Sequence, residues 1–152
     1  MIVDNILGTP GLIERIQHAG AQGVLVIVVT HILRDQLSDT KDETKRRQLL
    51  EVYEALPKDL APTNAFVLDV SRLGGAELAD EATAASVGRL RTSSKDFGGI
   101  KDALLAITAS GKADVLVTED RKLRRHVSVS TLRCEVWDFA RFRQFVEDTP
   151  AK

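Results

Sequence analysis

The chain of 152 residues holds a single cysteine, Cys134. That excludes an internal disulfide and any zinc site built from several thiolates, and it fits a reducing cytoplasm. Only 5% of the residues are aromatic, and none interleaves with the basic clusters, so no stacking platform for single-stranded nucleic acid is evident. Neither sign of charge dominates. The formal net charge is −1, which gives no global pull toward nucleic acid or acidic membranes, so any such attraction must be local. Long hydrophobic runs are missing too. The longest, Val24–Val29, is strand-length and far short of the ~20 residues of a membrane span, and no signal peptide is recognisable. His18, His31 and His126 share no ligand spacing, and Ser71 and Ser93 lack a histidine partner at any recognisable spacing. A serine hydrolase is therefore disfavoured.

What is present suits one globular domain. At this length a chain removes roughly two-thirds of its unfolded surface from water. Ile2 and Val3 predict a short first strand running into Asp4. Thr9 and Pro10 predict the start of a helix with Leu12, Ile13 and Ile16 inward. Val24–Val29 reads as a central strand covered on both faces, and Thr30 as the cap of a short helix carrying Asp35. Thr40 and Glu43 match a capping box for a helix with Leu49, Leu50, Val52 and Leu56 on its apolar face, ending at Pro57. A third strand is expected over Ala65–Val70, an alanine-rich helix over Ser71–Leu90 and a polar loop over Arg91–Gly99. Next come an apolar helix opened by Asp102, a strand over Asp114–Thr118 and a basic turn. Cys134–Trp137 predicts an edge strand, and Asp138 caps a last helix with Phe139, Phe142 and Val146. Strands alternating with helices imply parallel pairing through helical crossovers. The expectation is an α/β fold: a single-domain three-layer α/β/α arrangement over 1–147, with a mostly parallel central sheet of about five strands and a flexible tail at 148–152.

Four acids fall just after expected strands or early in the helices that follow: Asp4, Asp35, Asp102 and Asp120. In an open parallel sheet the carboxyl ends of the strands share one side, where ligands bind. Carboxylates aimed at one crevice repel unless a cation or a proton lies between them. An all-oxygen donor set suits magnesium or manganese better than zinc. Each acid also has a simpler use. Asp102 suits the positive end of a helix, Asp120 a helix cap, Asp4 a turn and Asp35 a solvated helix position.

The stretch KDALLAITASGKADVLVTEDRKL resembles the carboxyl-terminal signature of the PIN domain family, in which an acid precedes a small apolar helix and another follows a strand ending in Thr-x-Asp. IVDNIL resembles the family's first strand, ILRDQL the start of its second helix, and VSRLGGAELADE a pattern in PIN toxins of the VapC type. The resemblance implies a PIN-like fold, with Asp4, Asp35, Asp102 and Asp120 holding Mg2+ or Mn2+ and Thr118 as a hydroxyl neighbour. It also implies a metal-dependent endoribonuclease, the toxin of a toxin–antitoxin pair, with RNA as substrate and a small antitoxin protein as partner. The chain departs from the family where Asp4 is followed directly by Asn5 and Ile6, where Asp35 replaces a glutamate, and where Lys122 replaces a further acid.

An acidic pocket needs nearby cations to hold a phosphate backbone. Arg121 and Lys122, and Arg91 and Lys95 in the loop before Asp102, flank the expected pocket, whereas Lys45, Arg46 and Arg47 read as a solvated charged face. Phe139 and Phe142 dock the last helix or contribute to a homodimer surface. Two other classes stay open. One is a PIN-like module that binds without cleaving. The other is a receiver-type phosphoacceptor domain with Asp69 as acceptor, although an acidic pair at the first strand and a lysine after the last strand are missing.

Overall fold

A computed structural model describes residues 1–62, 100–129 and 133–150, with the side chains of 100–103 and 126–129 outside the description. The expected strand Ala65–Val70 with Asp69, the helix Ser71–Leu90 and the Arg91–Gly99 loop with Arg91 and Lys95 lie outside the described residues. The chain divides into two compact units, Met1–Leu60 with Asp138–Lys152, and Ala61–Trp137.

The first unit opens with a helix where a strand was expected. α1 spans Ile2–Leu7, because Val3 and Ile6, three residues apart, fall on one helical face and are both buried. α2 spans Leu12–Ala21 and begins after Gly11, not at Thr9 or Pro10. The Thr9 hydroxyl instead donates to the Asn5 carbonyl at 2.8 Å and closes α1. Leu12, Ile16 and Ala19 form the buried stripe of α2, each large side chain contributing about 1.5–3 kcal/mol by leaving water. The helix ends in a Schellman motif: Gly23 adopts φ +70, its N–H reaches the Gly20 carbonyl, and the Val24 N–H reaches that of Ala19, both at 3.0 Å. Gly20 also lies against Pro57, so that a Cβ there would stand 2.7 Å from the proline Cγ.

Of the apolar run, only Ile27–Val29 forms strand β1. Val24 and Val26 are 51% and 63% exposed, which overturns the reading of a central strand covered on both faces. β1 pairs in parallel with β2, Lys58–Leu60, in the register Ile27 to Lys58 and Val29 to Leu60. Between them lie α3, His31–Ser38, and α4, Glu43–Ala55. The cap of α4 is Asp42, whose carboxylate accepts the Lys45 N–H at 2.8 Å, in place of the Thr40 capping box. Thr30 stands at the cap position of α3 without a side-chain cap bond, and its buried Oγ1 has no partner among the described residues. Val3, Val29, Leu37, Leu49 and Tyr53 make one apolar cluster that joins α1, α3 and α4 to β1. A further helix, α7 (Phe139–Asp148), packs on α2 and buries Phe142 and Val146. Its cap Asp138 accepts the Arg141 N–H at 2.9 Å, as the sequence predicted.

In the second unit α5 spans Ile100–Lys112, β3 Val115–Val117, α6 Arg121–Val129 and β4 Glu135–Trp137. β3 and β4 run parallel with Val115 opposite Glu135, a β–α–β unit with α6 as crossover. Leu104, Ala106, Ile107 and Thr108 of α5 are buried, as are Leu123 and Cys134.

The sheet of about five strands is therefore not found. The described residues form two separate two-stranded parallel sheets in a mainly helical chain. The parallel sense was read correctly and the three-layer single sheet was not. The reasons are local: Ile2–Leu7 buries its apolar residues at helical spacing, and half of Val24–Val29 pairs with no strand among the described residues. No helix among the described residues is long and apolar enough to cross a membrane.

Candidate functional site

Asp120 is the most closely determined of the candidate acids. β3 ends at Val117, and the Thr118 N–H donates to the Trp137 carbonyl at 2.9 Å, which ties the end of β3 to β4. The Thr118 hydroxyl accepts the Asp120 N–H at 3.2 Å. Asp120 Oδ1 then accepts the N–H of Lys122 at 2.8 Å and of Leu123 at 3.0 Å, which caps α6. The simple capping use is thus realised, and it engages one oxygen only. Oδ2 has no partner among the described residues and the residue is exposed. A carboxylate held by two backbone donors, with its second oxygen facing outward, keeps a ligand atom in place without further support.

Asp102 is the third residue of α5, at the start of the apolar helix as expected. Its side chain lies outside the described ones. The helix itself packs on β3 and α6.

Asp4 departs from expectation. It sits in the first turn of α1 and not beyond a strand. Its Oδ1 is 3.0 Å from Lys45 Nζ. Lys45 is therefore not part of a purely solvated face, and no spacing in the sequence signals that pair because the partners lie on different helices. Arg46 is likewise engaged, donating to the Thr40 carbonyl at 3.1 Å. Asn5, next to Asp4, serves through its carbonyl in closing α1. Asp35 is the fifth residue of α3 and half-buried. The buried Tyr53 phenol has its pKa pushed up chiefly by burial, then by Glu54, with the Asp35 charge adding to the rise and Arg34 opposing it.

The four acids are divided between the two units, Asp4 and Asp35 in one and Asp102 and Asp120 in the other. Among the described residues, no three His, Cys, Asp or Glu side chains gather into a metal-holding group. The individual donors nonetheless suit a hard divalent cation. They are oxygens, and Asp120 leaves Oδ2 open, whereas Asp4 is taken up by the Lys45 ammonium.

Arg121 and Lys122 occupy the exposed first turn of α6 and make no ion pair among the described residues. Cations are disfavoured at that positive end of a helix, and the Asp120 cap offsets them. Leu123 anchors the opposite, buried face. The Cys134 thiol is buried and its pKa is raised by that burial. A shallow depression of about 440 Å³ runs along α4, lined by Glu43, Arg46, Arg47, Leu50, Glu51 and Glu54. It includes none of the candidate acids, and its mixed charges form neither an acidic pocket nor a phosphate cradle.

Comparison with known proteins adds no neighbour: no family model, no curated protein and no solved structure matches the chain. The residues alone carry the functional reading.

Proposed function

We propose that the protein is a divalent-metal-dependent endoribonuclease, the toxin of a toxin–antitoxin pair, acting on RNA in the cytoplasm and held inactive by a small protein partner. The observation that carries the reading is Asp120. It follows a strand in the Thr-x-Asp pattern of the PIN signature, is braced by Thr118, and has one oxygen open. Asp102, Asp4 and Asp35 are the other proposed ligands of Mg2+ or Mn2+.

When bound, such an ion supplies a Lewis acid for the scissile phosphate and lowers the pKa of an adjacent water. The chain's own groups do the rest. The Thr118 hydroxyl accepts the Asp120 backbone N–H and braces the residue, while the Lys122 and Leu123 N–H groups hold its carboxylate. Arg121 and Lys122 meet the phosphates on either side. Water adds to phosphorus, the bond to the ribose oxygen breaks, and the proton leaves with the released hydroxyl.

One observation favours a second reading, a module that binds RNA without cutting it: Asp4 is already neutralised by Lys45. Incubation with structured and single-stranded RNAs, with Mg2+ or Mn2+ against a chelator, separates the two. Cleavage that needs the ion and vanishes in folded Asp102→Asn supports the nuclease. RNA binding without cleavage under any ion supports the module.

A further inference from the structure

Trp137 is the only tryptophan of the chain and stands apart in sequence from Arg121 and Lys122. The fold brings it to the end of the sheet that leads into Asp120, within the same unit. Trp137 closes β4 and lies in register with Val117, the last residue of β3. Two hydrogen bonds then link it to the acid. The Thr118 N–H donates to the Trp137 carbonyl at 2.9 Å, and the Thr118 hydroxyl accepts the Asp120 N–H at 3.2 Å. The carboxyl ends of parallel strands are where ligands bind in α/β units. The indole is half-buried, so part of its surface stays in reach of solvent. Its N–H, the one polar group of the ring, is already engaged, donating to Glu135 Oε2 at 2.8 Å. Glu135 stands two residues earlier, on the same face of β4, so this bond holds the ring against its own strand. The ring therefore offers a ligand a π-surface set in place, with no donor left to read a base edge.

We infer that Trp137 is a stacking subsite for an unpaired RNA base beside the phosphates met by Arg121 and Lys122. This rests on the nuclease reading of Asp120 and deepens it by naming the substrate class: RNA that is single-stranded where it is held. A base inside a duplex keeps its faces against its neighbours, whereas an unpaired base can leave them for an aromatic side chain. Every base has a π-face, so the subsite selects for strandedness and tolerates any sequence. No aromatic residue interleaves with the basic cluster along the chain, and the parallel pairing of β3 with β4 is what supplies one.

The test uses the full chain, in which all tryptophan emission comes from this one residue. Emission is followed while a single-stranded RNA, or the duplex of the same sequence, is added in Mg2+ and in chelator. Binding is read in parallel from the anisotropy of labelled RNA for the wild type, Trp137→Phe and Trp137→Leu, with thermal melts to confirm folding. Single-stranded RNA is expected to quench the emission and the duplex to leave it unchanged. Trp137→Leu should weaken single-strand binding roughly five- to 150-fold, the range for losing one stacked base, and Trp137→Phe should retain most of the affinity. If Trp137→Leu does not fold, the quenching of the wild type still decides. RNA that binds or is cut with the emission unchanged, or that binds folded Trp137→Leu as well as the wild type, overturns the subsite and leaves the nuclease reading standing. Equal quenching by duplex overturns the selection for unpaired bases. A wild-type chain that neither binds nor cuts RNA under any of these conditions overturns the nuclease reading, and the subsite falls with it.

Discussion

In the second unit Asp120 takes its position from groups within three residues of itself: the Thr118 hydroxyl before it and the Lys122 and Leu123 N–H groups after it. In the first unit Asp4 takes its position from Lys45, a side chain on another helix. The first arrangement forms wherever β3 and α6 form, and the carboxylate is oriented by backbone donors that cannot swing away. The second depends on how α1 packs against α4, and its partner is a flexible ammonium half in water. A locally braced acid keeps its orientation without help from elsewhere in the chain. A remotely paired acid depends on the packing of the two helices.

The largest expected effect falls on the packing that supports the remote arrangement. Gly20→Ala places a Cβ into Pro57, and the resulting overpacking should destabilise the fold by about 1–3 kcal/mol in denaturant titrations. An unchanged midpoint would mean that α2 and the end of α4 adjust freely, and the first unit would be softer than its contacts imply. On the local side, Asp120→Ala removes a cap and should cost about 1 kcal/mol, whereas Asp120→Asn retains a good capping residue and should cost a few tenths. Equal losses in the two variants would show that the charge, and not the cap bonds, holds α6.

How much of this was legible in the sequence follows the same division. The β3 strand, the α5 helix with Asp102 in its first turn, the Asp120 cap and the Asp138 cap were all readable, because each depends on neighbours in the chain. The α1 helix was misread as a strand, since two apolar residues before an acid fit either period when the element is so short. β2, with the sequence Lys-Asp-Leu, carries no apolar alternation at all and forms only because β1 offers a parallel partner. The role of Lys45 was invisible for the same reason: packing between helices brings the pair together, and no spacing encodes it.

Two smaller effects sharpen the contrast. Thr30 holds a buried hydroxyl without a partner, so Thr30→Val, which keeps the shape, should be neutral or stabilise the protein by up to ~1 kcal/mol. A loss instead would reveal a bond made by that hydroxyl in solution. Burial raises the Cys134 thiol above its ordinary value of 9.0, and burial chiefly raises the Tyr53 phenol above 10.0. Both groups hold their proton more tightly when folded than when unfolded. Their contribution is therefore complete below those ordinary values and is lost as pH rises through the folded ones. Melting temperature should fall on alkaline titration above roughly pH 9, less steeply in Cys134→Ala and in Tyr53→Phe. An identical slope in both variants would assign the fall to other groups.

The most direct measurement is the RNA cleavage rate of Asp120→Asn in Mg2+ or Mn2+, beside the wild type, with melting curves for both. Asparagine keeps the cap on α6 and removes the charge of the open oxygen. The expected result is a melt within a few tenths of a kcal/mol of the wild type, with cleavage lowered by more than about 100-fold, beyond the loss typical of a residue that only orients a ligand. A folded Asp120→Asn that cleaves at the wild-type rate would show that Asp120 is a helix cap and nothing more.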